Sequence, residues 1–166
     1  MGAVIKLVDA ILFFFFLLIA VVAPLFDAQS CLPRDLYPDY LVDLNTWYSR
    51  EYGDYLISEK PNFFVGLVWL ELLFLWPLSI ANLYGIVAGK SWLRTTSLIY
   101  GVSISTSMVA ILSELKGSGK APDKLLMVYY PFLGLSVLAI LRGLLPRSGN
   151  TPAIGTRPAL IRKKKA

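Results

Sequence analysis

The sequence predicts an all-α, polytopic membrane protein: a bundle of four transmembrane helices with an amphipathic helix in the first lumenal connection. Three observations predict it. Of 166 residues, 56% are hydrophobic and 16% charged, with a mean hydropathy of +0.61, whereas a soluble domain averages about 45–50% apolar and ~25% charged. Four apolar runs, Ala10–Phe26, Phe63–Ala88, Thr95–Leu115 and Leu125–Leu145, approach or exceed the roughly 17–25 residues that cross a hydrocarbon core of ~30 Å. Between the first two runs, Tyr40–Pro61 has helical periodicity: Tyr40, Leu44, Trp47, Tyr48, Tyr52 and Tyr55 share one broad face, with Asp39, Asp43 and Arg50 on another.

The first run follows Lys6, as in a secretory signal, but the best cleavage point, after Ala28, has Phe26 where a small residue is required. It therefore reads as a retained span. It ends on Asp27, and a charge at the lip of an apolar segment needs a reason. The connection after it carries seven carboxylates, and an amphipathic helix lying over the bundle would turn two of them, Glu51 and Asp54, toward it.

The second run contains Glu71, eight residues after Phe63 and so about 12 Å along a helix. An ionisable group at that depth costs at least ~2.5–3.5 kcal/mol to insert and marks a functional site by default; the alternative is a protonated glutamate that only bonds a neighbouring helix. Pro24, Pro77 and Pro131 each remove a backbone donor and kink their helices. Three kinks together imply a cavity between spans. The third run is rich in small residues, Gly101, Ser103, Ser105, Thr106 and Ser107, as close helix packing requires. Gly85 and Gly89 have the small-xxx-small spacing of a helix-pairing face. The fourth opens with Tyr129 and Tyr130 before Pro131, read equally well as interfacial anchors or as the mouth of a pocket.

If both termini are cytosolic, that side holds ten Lys and Arg and the opposite side six, the bias that orients membrane proteins. Residues 1–145 then form the membrane domain and 146–166 a disordered basic cytosolic tail. Lys163 and Lys164, fourth and third from the end, resemble a dilysine signal for retrieval to the endoplasmic reticulum; a polybasic stretch on anionic lipid is the alternative. There is no histidine and one cysteine, Cys31. No phosphate loop, Ser/His/Asp set, metal cluster or nucleic-acid motif is present, so no cofactor, metal or nucleic-acid partner is expected. Asp27, Glu51, Asp54 and Glu71 are expected to converge under aromatic residues.

The stretches LFDAQSCLPRDLYP, WYSREYGDYL, LELLFLWP, WLRTTSLIY and VYYPFLG resemble the transmembrane protein 97, or sigma-2 receptor, family of the EXPERA group, which also holds the emopamil-binding sterol isomerases. The resemblance runs from about Phe26 to Leu145. It implies a dimeric endoplasmic reticulum membrane protein with a pocket that opens toward lipid and binds sterols and cationic amphiphilic amines. It also implies a link to cholesterol trafficking through a Niemann–Pick type C-like transporter. Residue by residue, it implies that Asp27 meets the ligand amine, that Asp54 supports Asp27 through a hydrogen bond, and that Glu71 is the buried glutamate. Tyr100, Ser107, Met108 and Tyr129 fall at pocket-lining positions. Phe132 stands in place of a tyrosine, Ser107 of a threonine, and Tyr55 of a proline. With the two aspartates in one site, a shared proton is expected. The functions this leaves are a sterol and amine receptor, a sterol Δ8-Δ7 isomerase-like enzyme, and a non-catalytic scaffold or regulator of a sterol transporter. The receptor is the leading reading, because the isomerases use histidine and this chain has none.

Overall fold

In lipid a backbone amide must find its partner within its own segment, so long apolar runs become helices. The computed structural model describes residues 2–145, and they are all-α. The tail, with Lys163 and Lys164, lies outside the described residues. Four helical stretches are long and apolar enough to cross a membrane. The first span contains α1 (Gly2–Leu25), and the second combines α4 (Asn62–Leu70) and α5 (Trp76–Val87). The third is α6 (Leu93–Gly117) and the fourth α7 (Asp123–Leu144). Between the first two spans come short 3-10 turns, α2 (Asp39–Tyr52) and α3 (Tyr55–Glu59).

The first span starts earlier than its apolar run. Asp9 is helical and bonded to Arg142 near the end of α7, through Arg142 Nε and through Nη2 at 3.1 Å. A carboxylate is tolerated at this end of the bundle because a guanidinium from the last span neutralises it.

Pro24 lies inside α1. Its missing N–H leaves the carbonyl four residues back, that of Ala20, without its usual donor. The Trp76 indole Nε1 donates to Ala20 O at 3.0 Å, so one irregularity in α1 is met by a side chain of the second span. That span is also irregular: Glu71–Leu75 form a π-helical turn between α4 and α5, and Pro77 follows within the first turn of α5. The expected proline kink is thus spread over a wider turn.

The third and fourth spans form the closest helix pair. A Cβ on Gly101 would lie 2.7 Å from Ser136 O and 2.8 Å from Ile140 N, so only glycine lets α6 and α7 approach this far. One turn on, the Ser105 and Ser136 hydroxyls are 2.7 Å apart. Ser136 donates to Leu133 O, which makes Ser105 the donor between them. The other small residues of α6 divide: Ser107 faces inward, whereas the Ser103 and Thr106 hydroxyls donate back to their own helix at Ile99 O and Val102 O. Gly85 packs on Trp92 and Leu93 of its own chain. Gly101→Ala should destabilise the bundle by about 1–3 kcal/mol, as overpacking does. Gly134→Ala, with nothing within 4 Å of the added carbon, should not. Thermal denaturation of both variants in detergent checks this.

α2 departs from expectation in which face it packs. Val42 and Asn45 are buried, and Tyr48 and Tyr52 pack inward, but Tyr40, Leu44 and Trp47 are exposed. The aromatic arc is split between two surfaces. α2 stops at Gly53, whose φ of 67° ends the helix in a left-handed turn.

Candidate functional site

A cavity of about 290 Å³ lies among the spans, beneath α2 and α3. Its wall is built where the helices are irregular. α1 contributes Ile19, Val22 and, just past its end, Phe26 and Asp27; the second span contributes Leu67, Glu71 and Leu75.

Asp27 is placed by the way α1 ends. The last carbonyls of a helix have no partner within it, and here side chains cap three in succession. Tyr37 Oη donates to Pro24 O at 3.2 Å, Gln29 Nε2 to Leu25 O at 2.8 Å, and Asn45 Nδ2 to Phe26 O at 3.2 Å. The chain then turns through the 3-10 segment Asp27–Ser30, so that its first side chain, Asp27, faces the cavity. The negative end of the α1 dipole lies beside it.

Glu71 stands on the wall at the point where α4 gives way to the π-helical turn, an irregularity that recurs at functional sites. Asp27 lies close enough to both Glu71 and Asp54 to be repelled by their charges. Among the described residues, neither the Asp27 nor the Glu71 carboxylate has a hydrogen-bond or ion-pair partner, and no Lys or Arg lines the cavity. Otherwise the wall is apolar and aromatic, with Tyr48, Phe26, Phe132 and Tyr129 prominent.

Asp54 is fully buried and stands behind this wall, not on it. It caps α3 by accepting from Leu56 N at 3.1 Å, and its other oxygen accepts from Tyr129 Oη at 2.8 Å. The hydrogen bond expected from Asp54 to Asp27 is therefore replaced by one from Tyr129, 75 residues away in the chain. Burial raises the Asp54 pKa, and the bonds from Tyr129 and from the amides of Ile57 and Leu56 only partly offset it. Burial also raises the Tyr48 pKa, with the Asp54 and Asp27 charges adding to it.

Ser107, Met108 and Tyr129 lie on the cavity wall with Asp27 and Glu71. Tyr100 does not: it is fully buried in the core, edge-on to Phe15 and Phe16, and its hydroxyl has no partner. Glu51 does not converge either. It is exposed and pairs with Lys124 at 3.2 Å. Tyr48, which packs against Phe26 with ring centroids 5.2 Å apart, was visible in the sequence as part of the aromatic arc. Nothing in the sequence singled it out from Tyr40 or Trp47 as the tyrosine that turns inward.

The raised Asp54 pKa has a consequence for stability. A carboxyl whose folded pKa exceeds its unfolded value holds its proton better when folded. Its contribution to stability is fully present below the unfolded value of about 3.9 and is lost as pH rises through the folded value. Asp54→Asn should remove that part of the decline. Melting temperature, followed upward from pH 4, should fall less steeply in the variant than in the wild type; parallel curves would mean Asp54 does not titrate in this window.

The comparisons agree with this architecture. The family described as EXPERA (EXPanded EBP superfamily) matches residues 40–143. The chain is similar to sigma intracellular receptor 2 of Xenopus tropicalis, 30% identical over 149 residues that cover 82% of this chain and 87% of the relative. It is 34% identical to the Macaca fascicularis protein of that name over 123 residues, 64% of this chain and 70% of the relative. With the Homo sapiens protein the identity is 38% over 88 residues, 52% of this chain and 50% of the relative. A four-span bundle whose family match covers three of its spans, and whose relatives carry the sigma intracellular receptor 2 name, belongs to the EXPERA family, on its sigma-2 receptor side.

Proposed function

We propose that the cavity binds cationic amphiphilic amines and sterols, and that the protein is a receptor of the endoplasmic reticulum membrane linked to sterol homeostasis. One observation carries the reading: among the described residues, two carboxylates without a protein partner face an apolar, aromatic cavity that no basic residue lines. An amphiphilic amine complements both parts. Its ammonium meets Asp27 or Glu71 in a medium where charge attraction exceeds that in water, with aromatic faces adding cation–π contact, and its apolar body fills the remainder. A volume of about 290 Å³ sits at the small end of the ~300–1,000 Å³ typical of ligand pockets. The relatives' printed name, an intracellular receptor, supports a receptor inside the cell.

An isomerase-like activity is the second reading, favoured by the same two carboxylates. Moving a ring double bond needs a proton given at one carbon and taken from another, and Asp27 and Glu71 face a common space. Purified protein in nanodiscs separates the two. Saturable binding of a radiolabelled amphiphilic amine, displaced by a sterol, with no conversion of a Δ8-sterol, supports the receptor. Conversion would establish the enzyme, and neither result would leave a scaffold that partners a transporter. The location rests on the tail with both termini cytosolic: Lys163→Ser with Lys164→Ser should let the protein leave the endoplasmic reticulum, as imaging of a tagged protein would show. Unchanged residence would remove the retrieval signal from the reading.

A further inference from the structure

The outward ridge of α2 has no partner among the described residues. Tyr40 is 70% exposed, Trp47 57% and Leu44 48%, and Leu36, in the 3-10 turn before the helix, is 65% exposed. At about 100° per residue, the helix divides into three arcs. Val42, Asn45, Ser49 and Tyr52 face the bundle, Asp39, Asp43, Thr46 and Arg50 form a polar arc, and Tyr40, Leu44 and Trp47 lie within about 60° of one another between the polar arc and Tyr48. Water would account for the polar arc. It does not account for the third.

Depth supplies the occupant. The 24 residues of α1 rise about 36 Å, more than the ~30 Å of the hydrocarbon core, so its last turn reaches the headgroups. α2 is fixed to that turn by Asn45 to Phe26 O, by Gln29 Nε2 to Leu41 O at 3.3 Å, and by the Tyr48–Phe26 ring contact. Tyr37, just before α2, bonds Pro24 O. The helix is held at the level where tryptophan and tyrosine concentrate in membrane proteins. The same end of the bundle carries Lys116 over the Tyr130 ring and Lys124 over the Tyr52 ring, a basic and aromatic fringe continuous with the spans. One carboxylate, Glu51, falls within this third arc between Tyr40 and Leu44, and it is paired with Lys124.

We propose that Leu36, Tyr40, Leu44 and Trp47 seat α2 in the headgroup zone of the adjoining leaflet, so that lipid anchors the element that roofs the cavity. The Asp39–Asp43–Arg50 arc stays in water. Because α2 also carries Tyr48 on the cavity wall and leads into Asp54, its seating in lipid sets the position of the roof relative to the spans. A second copy of the chain or bare solvent against the ridge are the rivals, and each predicts a different accessibility.

The test uses the full chain in phosphatidylcholine nanodiscs with Cys31→Ser, so that one introduced cysteine carries a nitroxide label. Leu44→Cys reads the ridge and Asp43→Cys the polar arc, both at exposed positions. Power saturation with oxygen, which partitions into lipid, and with a water-soluble nickel chelate should give a ratio shifted toward oxygen at 44 and toward nickel at 43. Equal nickel access at both sites would overturn the proposal in favour of a solvated ridge. Shielding of position 44 from both reagents would overturn it in favour of a protein contact.

Discussion

Replacing Asp27 with asparagine should weaken binding of a cationic amine by about 2–5 kcal/mol, the usual loss when one partner of a buried charge pair is truncated, or roughly 30-fold to several-thousand-fold in affinity. Asparagine keeps the size of the side chain and its ability to accept a hydrogen bond, so the cavity keeps its shape. The charge is lost, and nothing nearby replaces it in kind except Glu71. The Asp27 carboxylate has no hydrogen bond or ion pair among the described residues to be broken, so the substitution should leave the fold intact. A neutral sterol never forms the pair, and its affinity should change far less. Competition binding of one amine and one sterol to wild type and variant reads both quantities. Equal losses for the two would reveal a folding defect instead of a lost ion pair. An unchanged amine affinity would move the ammonium to Glu71, and Glu71→Gln would then be the variant to carry the loss.

The four spans and the place of Asp27 and Glu71 were legible because lipid leaves so few solutions. Long apolar runs must be helices, and a carboxylate within or just past one must face protein or a cavity. What stayed hidden was pairing across the chain. The run from Ala10 stops at Asp9, which reads as the edge of the membrane until Arg142, 133 residues on, is seen beside it. The reason for Trp76 was equally hidden: it answers the backbone defect that Pro24 makes in a different span. Pro77 announced an irregularity, but whether it would be a kink or a π-helical turn depends on packing around Glu71–Leu75, which the local sequence does not encode.

α2 shows a different limit. Periodicity identified the helix and its aromatic arc, yet the arc is wider than one packing surface, and a helical wheel cannot say which half turns inward. Tyr48 and Tyr52 do, and Tyr40 and Trp47 do not. Likewise, the expectation of a direct bond between Asp27 and Asp54 placed the right groups in one neighbourhood but not the intermediary. Asp54 acts on the cavity through Tyr129, whose hydroxyl it holds at 2.8 Å, so its influence on a ligand runs through the tyrosine that forms the wall.

At the opposite end of the bundle, Arg142→Met should destabilise the protein by about 3–5 kcal/mol, because it leaves the Asp9 carboxylate largely buried with no counter-charge. The side chains of Arg142 and Asp9 are 12% and 22% exposed, too covered for solvent to make up the loss. Arg142 also suits its helix end: it lies in the last turn of α7, where the backbone dipoles favour a cation. The double variant Asp9→Leu with Arg142→Met should recover most of the loss, since an apolar pair of similar size often matches or exceeds a buried ion pair in stability. A thermodynamic cycle of the two single variants and the double, melted in detergent, measures the coupling directly. A loss below about 1 kcal/mol for Arg142→Met would show a solvent-screened surface pair. Failure of the double variant to recover would show that the arginine stem contributes by packing and not by charge. In either case amine affinity per folded molecule should stay at the wild-type value, because neither residue lines the cavity.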